Sequence, residues 1–131
     1  MKATARRTGT FAHEIAIRGH RLRADERIED GGDDSGPSPL ELLAAALASC
    51  TAATMEMYAA RKGWDIGEIA VDAEYAPAER GAPTRFRLVL HLPAHLTDEQ
   101  VERLSVIAAK CPVHRTLDGE AMFDERVEIV R

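Results

Sequence analysis

Two cysteines, and the histidine beside one of them, are the residues of this sequence best suited to chemistry. Cys50 lies in "LLAAALASCTAATMEMYAARKGW" (residues 42–64), a stretch without charge until Glu56. Cys111 opens "CPVHRTL", 61 positions on, with His114 three residues after it. Pro112 reads as the first residue of a short helix, which makes Cys111 a candidate N-cap facing free backbone N–H groups, a setting that stabilises a thiolate. Cys50 stands in mid-helix. Its own helix terminus is three turns away, so the dipole does not reach it, and apolar surroundings leave a thiol protonated and inert. Its reactivity therefore needs a cation or hydrogen-bond donor from elsewhere.

Three chemistries are open to such a pair. The thiols could be inert core residues. They could be ligands, with His114 and with His91 or His95, of a zinc ion. C-x-x-H supplies only two ligands and the other cysteine is isolated, so no metal is expected. Or they could be a redox pair. A permanent disulfide would stabilise the chain by about 4 kcal/mol through loop closure, but a reducing compartment argues against permanence.

The elements that must carry these residues follow from pattern and punctuation. "TARRT", "FAHEIAIR" and "HRLRADE" read as three strands, with Gly9 and Gly19 at the turns. "RIEDGGDDSGPSP" is a loop; its acids at 30–34 do not have EF-hand spacing. Ser38, Pro39 and Glu41 form an S-x-x-E capping box with proline at N1, which starts a helix running from about Pro39 to about Arg61 and stopping at Gly63. That helix is about 35 Å long. It is apolar nearly all round and rich in alanine, so a second subunit is expected to cover it. "EIAVDAEYA" and "TRFRLVLHL" are two more strands joined by "PAERGAP". Thr97 caps "DEQVERLSVIAAK" with Gln100 at N3, "PVHRTLDG" is a short helix, and "AMFDERVEIV" reads as a closing strand. The order βββ-α-ββ-α-α-β indicates an α+β class in a single domain, residues 1–131. Tyr58 and Trp64 read as packing at the helix end, Met55 and Met57 as core or interface filler.

Composition narrows the function classes. With 131 residues and a net charge of -5, and no dense basic block, nucleic acid is not an expected partner. The N-terminal residues lack the apolar run of a signal peptide. The uncharged stretch from Leu42 to Met55 is shorter than the roughly 18 residues expected of a membrane span. A cytoplasmic protein without a membrane partner is expected.

"GGDDSGPSPLELLAAALASCTAATMEMYAARKGW", with "CPVHRTL" about 60 residues later, resembles the OsmC/Ohr family of thiol-dependent peroxidases, and most of all its OsmC-like branch with a G-P-S-P-x-E-L-L motif. The resemblance extends over nearly the whole chain. It implies an intertwined homodimer, with long cysteine-bearing helices packed centrally between antiparallel sheets of both subunits. It implies that Cys50 is the peroxidatic thiol that attacks a hydroperoxide and becomes a sulfenic acid. Cys111 would be the resolving thiol that closes a disulfide, and a dithiol reductant would restore the pair. No metal, haem or flavin cofactor is implied.

The family's better-known members activate the peroxidatic thiol with an Arg–Glu pair. Their glutamate lies ten residues before the cysteine, where this chain has Leu40. Glu41 is adjacent but turned about 100° around the helix, and its capping role also accounts for it. Arg27 is the best match for the arginine, with Arg18, Arg21, Arg23 and Arg115 competing. Two other functions fit the same residues: a non-catalytic dimeric module holding a small hydrophobic ligand, and a redox sensor using the Cys50–Cys111 switch without turnover.

Overall fold

Ser38 starts the helix on which the site depends. In the computed structural model, which describes residues 1–130, Ser38 Oγ accepts from the Glu41 N–H at 3.2 Å and Glu41 Oε1 accepts from the Ser38 N–H at 2.9 Å. Two backbone donors that have no partner within the helix are thereby satisfied. The helix that follows, α1, spans Pro39–Lys62. Gly63, at φ 69°, ends it; the Gly63 and Trp64 N–H groups turn back to the carbonyls of Ala60 and Ala59, as a left-handed C-terminal residue allows.

Before α1, strands β1 (Thr4–Arg7), β2 (His13–Ile17) and β3 (His20–Ala24) form an antiparallel sheet in the order β1-β2-β3. Ile15 sits opposite Ala5 on one side and Leu22 on the other. In the β2–β3 turn the left-handed residue is Arg18 (φ 53°) and not the neighbouring Gly19, a conformation costing a side-chain-bearing residue roughly 1–2 kcal/mol.

The loop from β3 to α1 is organised by Asp25, which is 1% exposed. Its carboxylate accepts from the N–H groups of Glu26 (2.7 Å), Asp33 (3.3 Å) and Ser35 (3.1 Å), and from Ser35 Oγ (2.7 Å). The Ser35 hydroxyl is foremost in holding the carboxyl below its ordinary value, with the Ser35 N–H next. Gly32 is pressed against this network: a Cβ there would lie 2.1 Å from the Glu26 carbonyl oxygen and 2.9 Å from Asp25 Oδ1.

After α1, β4 (Ala70–Ala76) and β5 (Arg85–His91) pair as a two-stranded sheet. Phe86, Leu88 and Leu90 alternate with exposed neighbours as the pattern predicts, and Tyr75 and Phe86 meet with ring centroids 5.6 Å apart. Helix α2 (Asp98–Ala108) begins at Thr97 in the expected capping box with Gln100. Helix α3 (Pro112–Asp118) follows, with Cys111 as its N-cap.

The fold is α+β, but the predicted closing strand is not formed. Among the described residues, 120–130 adopt no regular structure, and Phe123, Val127 and Ile129 are 82%, 87% and 75% exposed. An alternating segment becomes a strand only where a neighbouring edge receives its N–H and C=O groups. No strand named here pairs with it.

The chain divides into two compact units. One holds residues 1–49 and 71–90, with Ala12, Ala24 and Leu47 buried. The other holds residues 50–70 and 91 onward, with Met55, Ala59, Leu96, Leu104 and Ile107 buried. α1 contributes to both, and the division falls between Ser49 and Cys50. By length and composition α1 would suffice to cross a membrane, a test that core helices of soluble proteins also pass. It leaves Leu40 and Met57 about half exposed.

Candidate redox site

Cys50 and Cys111 belong to the same unit, and the two thiols are hydrogen-bonded to each other. They are unequal. Cys111 is completely buried, whereas Cys50 is half-buried. The Cys111 Sγ is the N-cap acceptor of α3 and takes the His114 N–H at 3.4 Å. It also receives the hydroxyl of Thr51, a fully buried side chain, and the Val113 N–H. The ring of His114 lies beside this turn with its Nδ1 buried and without a hydrogen-bond partner.

These contacts set the two thiols apart. Burial pushes the Cys111 thiol up, but the donors gathered on its sulfur (Cys50 first, then the His114 N–H, Thr51 and the Val113 N–H) more than offset it, and the thiol ends below its ordinary value. Burial also pushes Cys50 up; donating its proton to Cys111 and facing that sulfur's charge push it further, and the Val113 N–H only partly opposes this. The donors thus converge on Cys111, where the charge is stabilised, and Cys50 holds the proton. Thr54, one turn on, makes a bond of 2.7 Å from its hydroxyl to the Cys50 carbonyl oxygen.

Arg27 and Glu41 lie in the other unit. There they line one open cavity of about 860 Å³ together with Leu40, Ala44, Ala48 and Tyr75. Arg27 Nη1 is 3.1 Å from Glu29 Oε1, and its Nε donates to Asp30 Oδ2 at 3.3 Å. Glu29 leads in raising the guanidinium above its ordinary value. Glu41 is held below its ordinary value chiefly by the Ser38 N–H, then by the Ser38 hydroxyl, with Arg27 contributing. None of the leading influences on the Cys50 thiol is a cation.

Sequence reasoning missed Thr51. Its position next to Cys50 was visible; its contact with a sulfur 60 residues away was not. It also understated the helix end, where Tyr58 Oη accepts from Arg103 Nε at 2.9 Å. Trp64 meets the Tyr58 ring edge-on, with centroids 5.6 Å apart, and Lys62 and Arg103 lie over that ring at 5.7 and 5.6 Å.

The arrangement defines a protein with a paired, hydrogen-bonded dithiol at the junction of a long apolar helix and a Cys-Pro turn. The OsmC-like protein family matches residues 32–125, and the chain belongs to that family. Solved structures share its fold. A Psychrobacter arcticus 273-4 protein named for osmotic stress induction and a detoxification response is 20% identical, with TM-score 0.76 over 88% of this chain and 87% of that one. An OsmC-like protein of Mycoplasma pneumoniae is 19% identical, with TM-score 0.74 over 90% and 86%. The organic hydroperoxide resistance protein OhrB of Bacillus subtilis is 23% identical, with TM-score 0.61 over 90% of each chain. No curated protein sequence matches the chain.

Proposed function

We propose that this protein reduces organic hydroperoxides with the Cys50–Cys111 pair. The observation that carries the reading is the direct hydrogen bond between a half-buried thiol and a fully buried one. Cys50 is the sulfur a peroxide can reach. With its proton passed to the Cys111 sulfur, Cys50 attacks one peroxide oxygen as thiolate; the S–O bond forms, the O–O bond breaks, and the leaving alkoxide takes a proton from solvent, so that the products are Cys50 sulfenic acid and an alcohol. Cys111 then displaces the sulfenic oxygen to form the disulfide, and a dithiol reductant reopens it by exchange. The working state requires a reducing compartment, in keeping with a cytoplasmic location. No bound cofactor enters these steps. Family membership and the OhrB likeness support this chemistry.

The protein works as a homodimer in this reading. The half-exposed Leu40 and Met57 of α1 and the apolar side chains of residues 122–130 are surfaces that a second copy would cover.

The test is consumption of cumene hydroperoxide with a dithiol reductant. The wild type turns over, Cys50→Ser does not, and peroxide-treated wild type yields a Cys50–Cys111 peptide that dithiothreitol cleaves. Absence of turnover in the wild type overturns the reading. A second reading, a redox sensor, is favoured by Leu40 at the position of the family's activating glutamate. Under it the disulfide forms once and no sustained peroxide consumption follows.

A further inference from the structure

Thr51 has no part in the peroxidase scheme just given, yet its side chain is tied to the resolving sulfur. It follows Cys50 on α1, so its orientation is fixed by the same helical turn. It is fully buried, in company with Cys111, which is buried to the same degree. A hydroxyl in such a place must find a partner, and the Cys111 sulfur is one. That sulfur is held from a second side by the His114 N–H at 3.4 Å, and it faces the Cys50 thiol. The neighbouring Thr54 serves the other thiol: its hydroxyl bonds the Cys50 carbonyl at 2.7 Å and acts to lower the Cys50 thiol.

We propose that Thr51 is a positioning residue of the redox pair, whose hydroxyl holds the Cys111 sulfur ready against Cys50 so that the disulfide closes before a second hydroperoxide reaches the sulfenic acid. The inference rests on the peroxidase reading. In the closing step the Cys111 thiolate attacks the Cys50 sulfur; the S–S bond forms, the S–O bond breaks, and hydroxide leaves and takes a proton from solvent. In the competing step the Cys50 sulfenate attacks a second molecule of organic hydroperoxide. A further S–O bond forms, the O–O bond breaks, the leaving alkoxide takes the proton of the transferred hydroxyl, and the sulfinate and an alcohol result. The first step needs a thiolate at Cys111 and the second does not involve that residue. The titratable groups next to the sulfur are Cys50 on α1 and His114 on α3, so both are kept unchanged in the peroxide comparison.

The test compares wild type, Thr51→Val and Thr51→Ser. Each reduced protein receives increasing cumene hydroperoxide at pH 7, and the products at Cys50 are resolved by intact and peptide mass spectrometry. Thr51→Val is expected to require at least tenfold less peroxide for half-conversion to the sulfinic acid, and Thr51→Ser to restore the wild-type value. The excess of sulfinic acid in Thr51→Val should diminish as pH rises above the ordinary thiol range, where Cys111 ionises without help. Equal sulfinic fractions in wild type and Thr51→Val overturn the proposal, as does a Thr51→Ser protein that behaves like Thr51→Val.

A second arm needs no peroxide. In a Cys50→Ser background, the 240 nm thiolate absorbance of Cys111 should titrate at higher pH after Thr51→Val. An unchanged titration also refutes the role of Thr51. A shifted titration in a protein whose wild type consumes no peroxide supports the contact and removes the peroxidase reading instead, so the two failures are distinguishable.

Discussion

Removing Cys111 should make Cys50 more reactive, not less. Cys111 appears in the balance on Cys50 twice, as the acceptor of its proton and as a like charge, and both act against the Cys50 thiolate. Two unit charges about 4 Å apart repel by about 4 kcal/mol at an effective dielectric constant near 20. Cys50 is half-buried, so solvent screens part of this. Retaining about a third of that energy still leaves roughly tenfold in thiolate population. The perturbation is Cys111→Ala. The assay is the rate of iodoacetamide alkylation at Cys50, read on its tryptic peptide at pH 9, the ordinary thiol value below which the Cys111 thiol of the wild type is held. The expected result is alkylation about ten times faster in Cys111→Ala. If alkylation slows instead, Cys50 carries the charge and Cys111 the proton, and the assignment drawn from the converging donors is wrong.

Three further outcomes follow from the geometry. Arg27→Met should change Cys50 alkylation less than Cys111→Ala does, because the guanidinium is already engaged by Glu29 and Asp30; an equal or larger effect in the same assay would place Arg27 at the thiol. Asp25, depressed from its ordinary value of 3.8, contributes stability that is present above that value and is lost as pH falls through the folded one. Chemical denaturation from pH 7 down to pH 2 should show this loss in the wild type and a flatter acid limb in Asp25→Asn, and identical limbs would contradict it. Light scattering at micromolar concentration should find two chains per particle, and a folded monomer would rule out the dimer.

The elements that could be read from the sequence are those whose signals are local. Ser38 with Glu41, Thr97 with Gln100, and Gly63 each terminate a helix by hydrogen bonds within a few residues, and the structure has all three boundaries. Cys111 as N-cap was legible for the same reason, since Pro112 fixes the helix start. What stayed hidden depends on contacts distant in sequence or on one neighbour displacing another. The Asp25 carboxylate reaches eight and ten residues ahead to Asp33 and Ser35. Arg18 took the left-handed place that glycine preference assigns to Gly19. The strand pattern of residues 121–130 describes a potential that only a partner edge realises. Which thiol carries the charge depends on Thr51 and His114 converging on one sulfur, and no spacing rule encodes that.

The close approach at Gly32 also sets the terms on which this gene can vary. Every amino-acid replacement of glycine adds a Cβ, and at position 32 that atom would collide with a backbone carbonyl, which, unlike the tip of a flexible side chain, has little freedom to move. The codon therefore has no tolerable missense neighbour, and drift there is confined to its silent third base. Gly19, with nothing within 4 Å of its would-be Cβ, is under no such restriction. In a saturation library selected for folded protein, the column of the buried Gly32 should be nearly blank and that of the exposed Gly19 nearly full, although both residues lie in turns or loops of the same half of the chain.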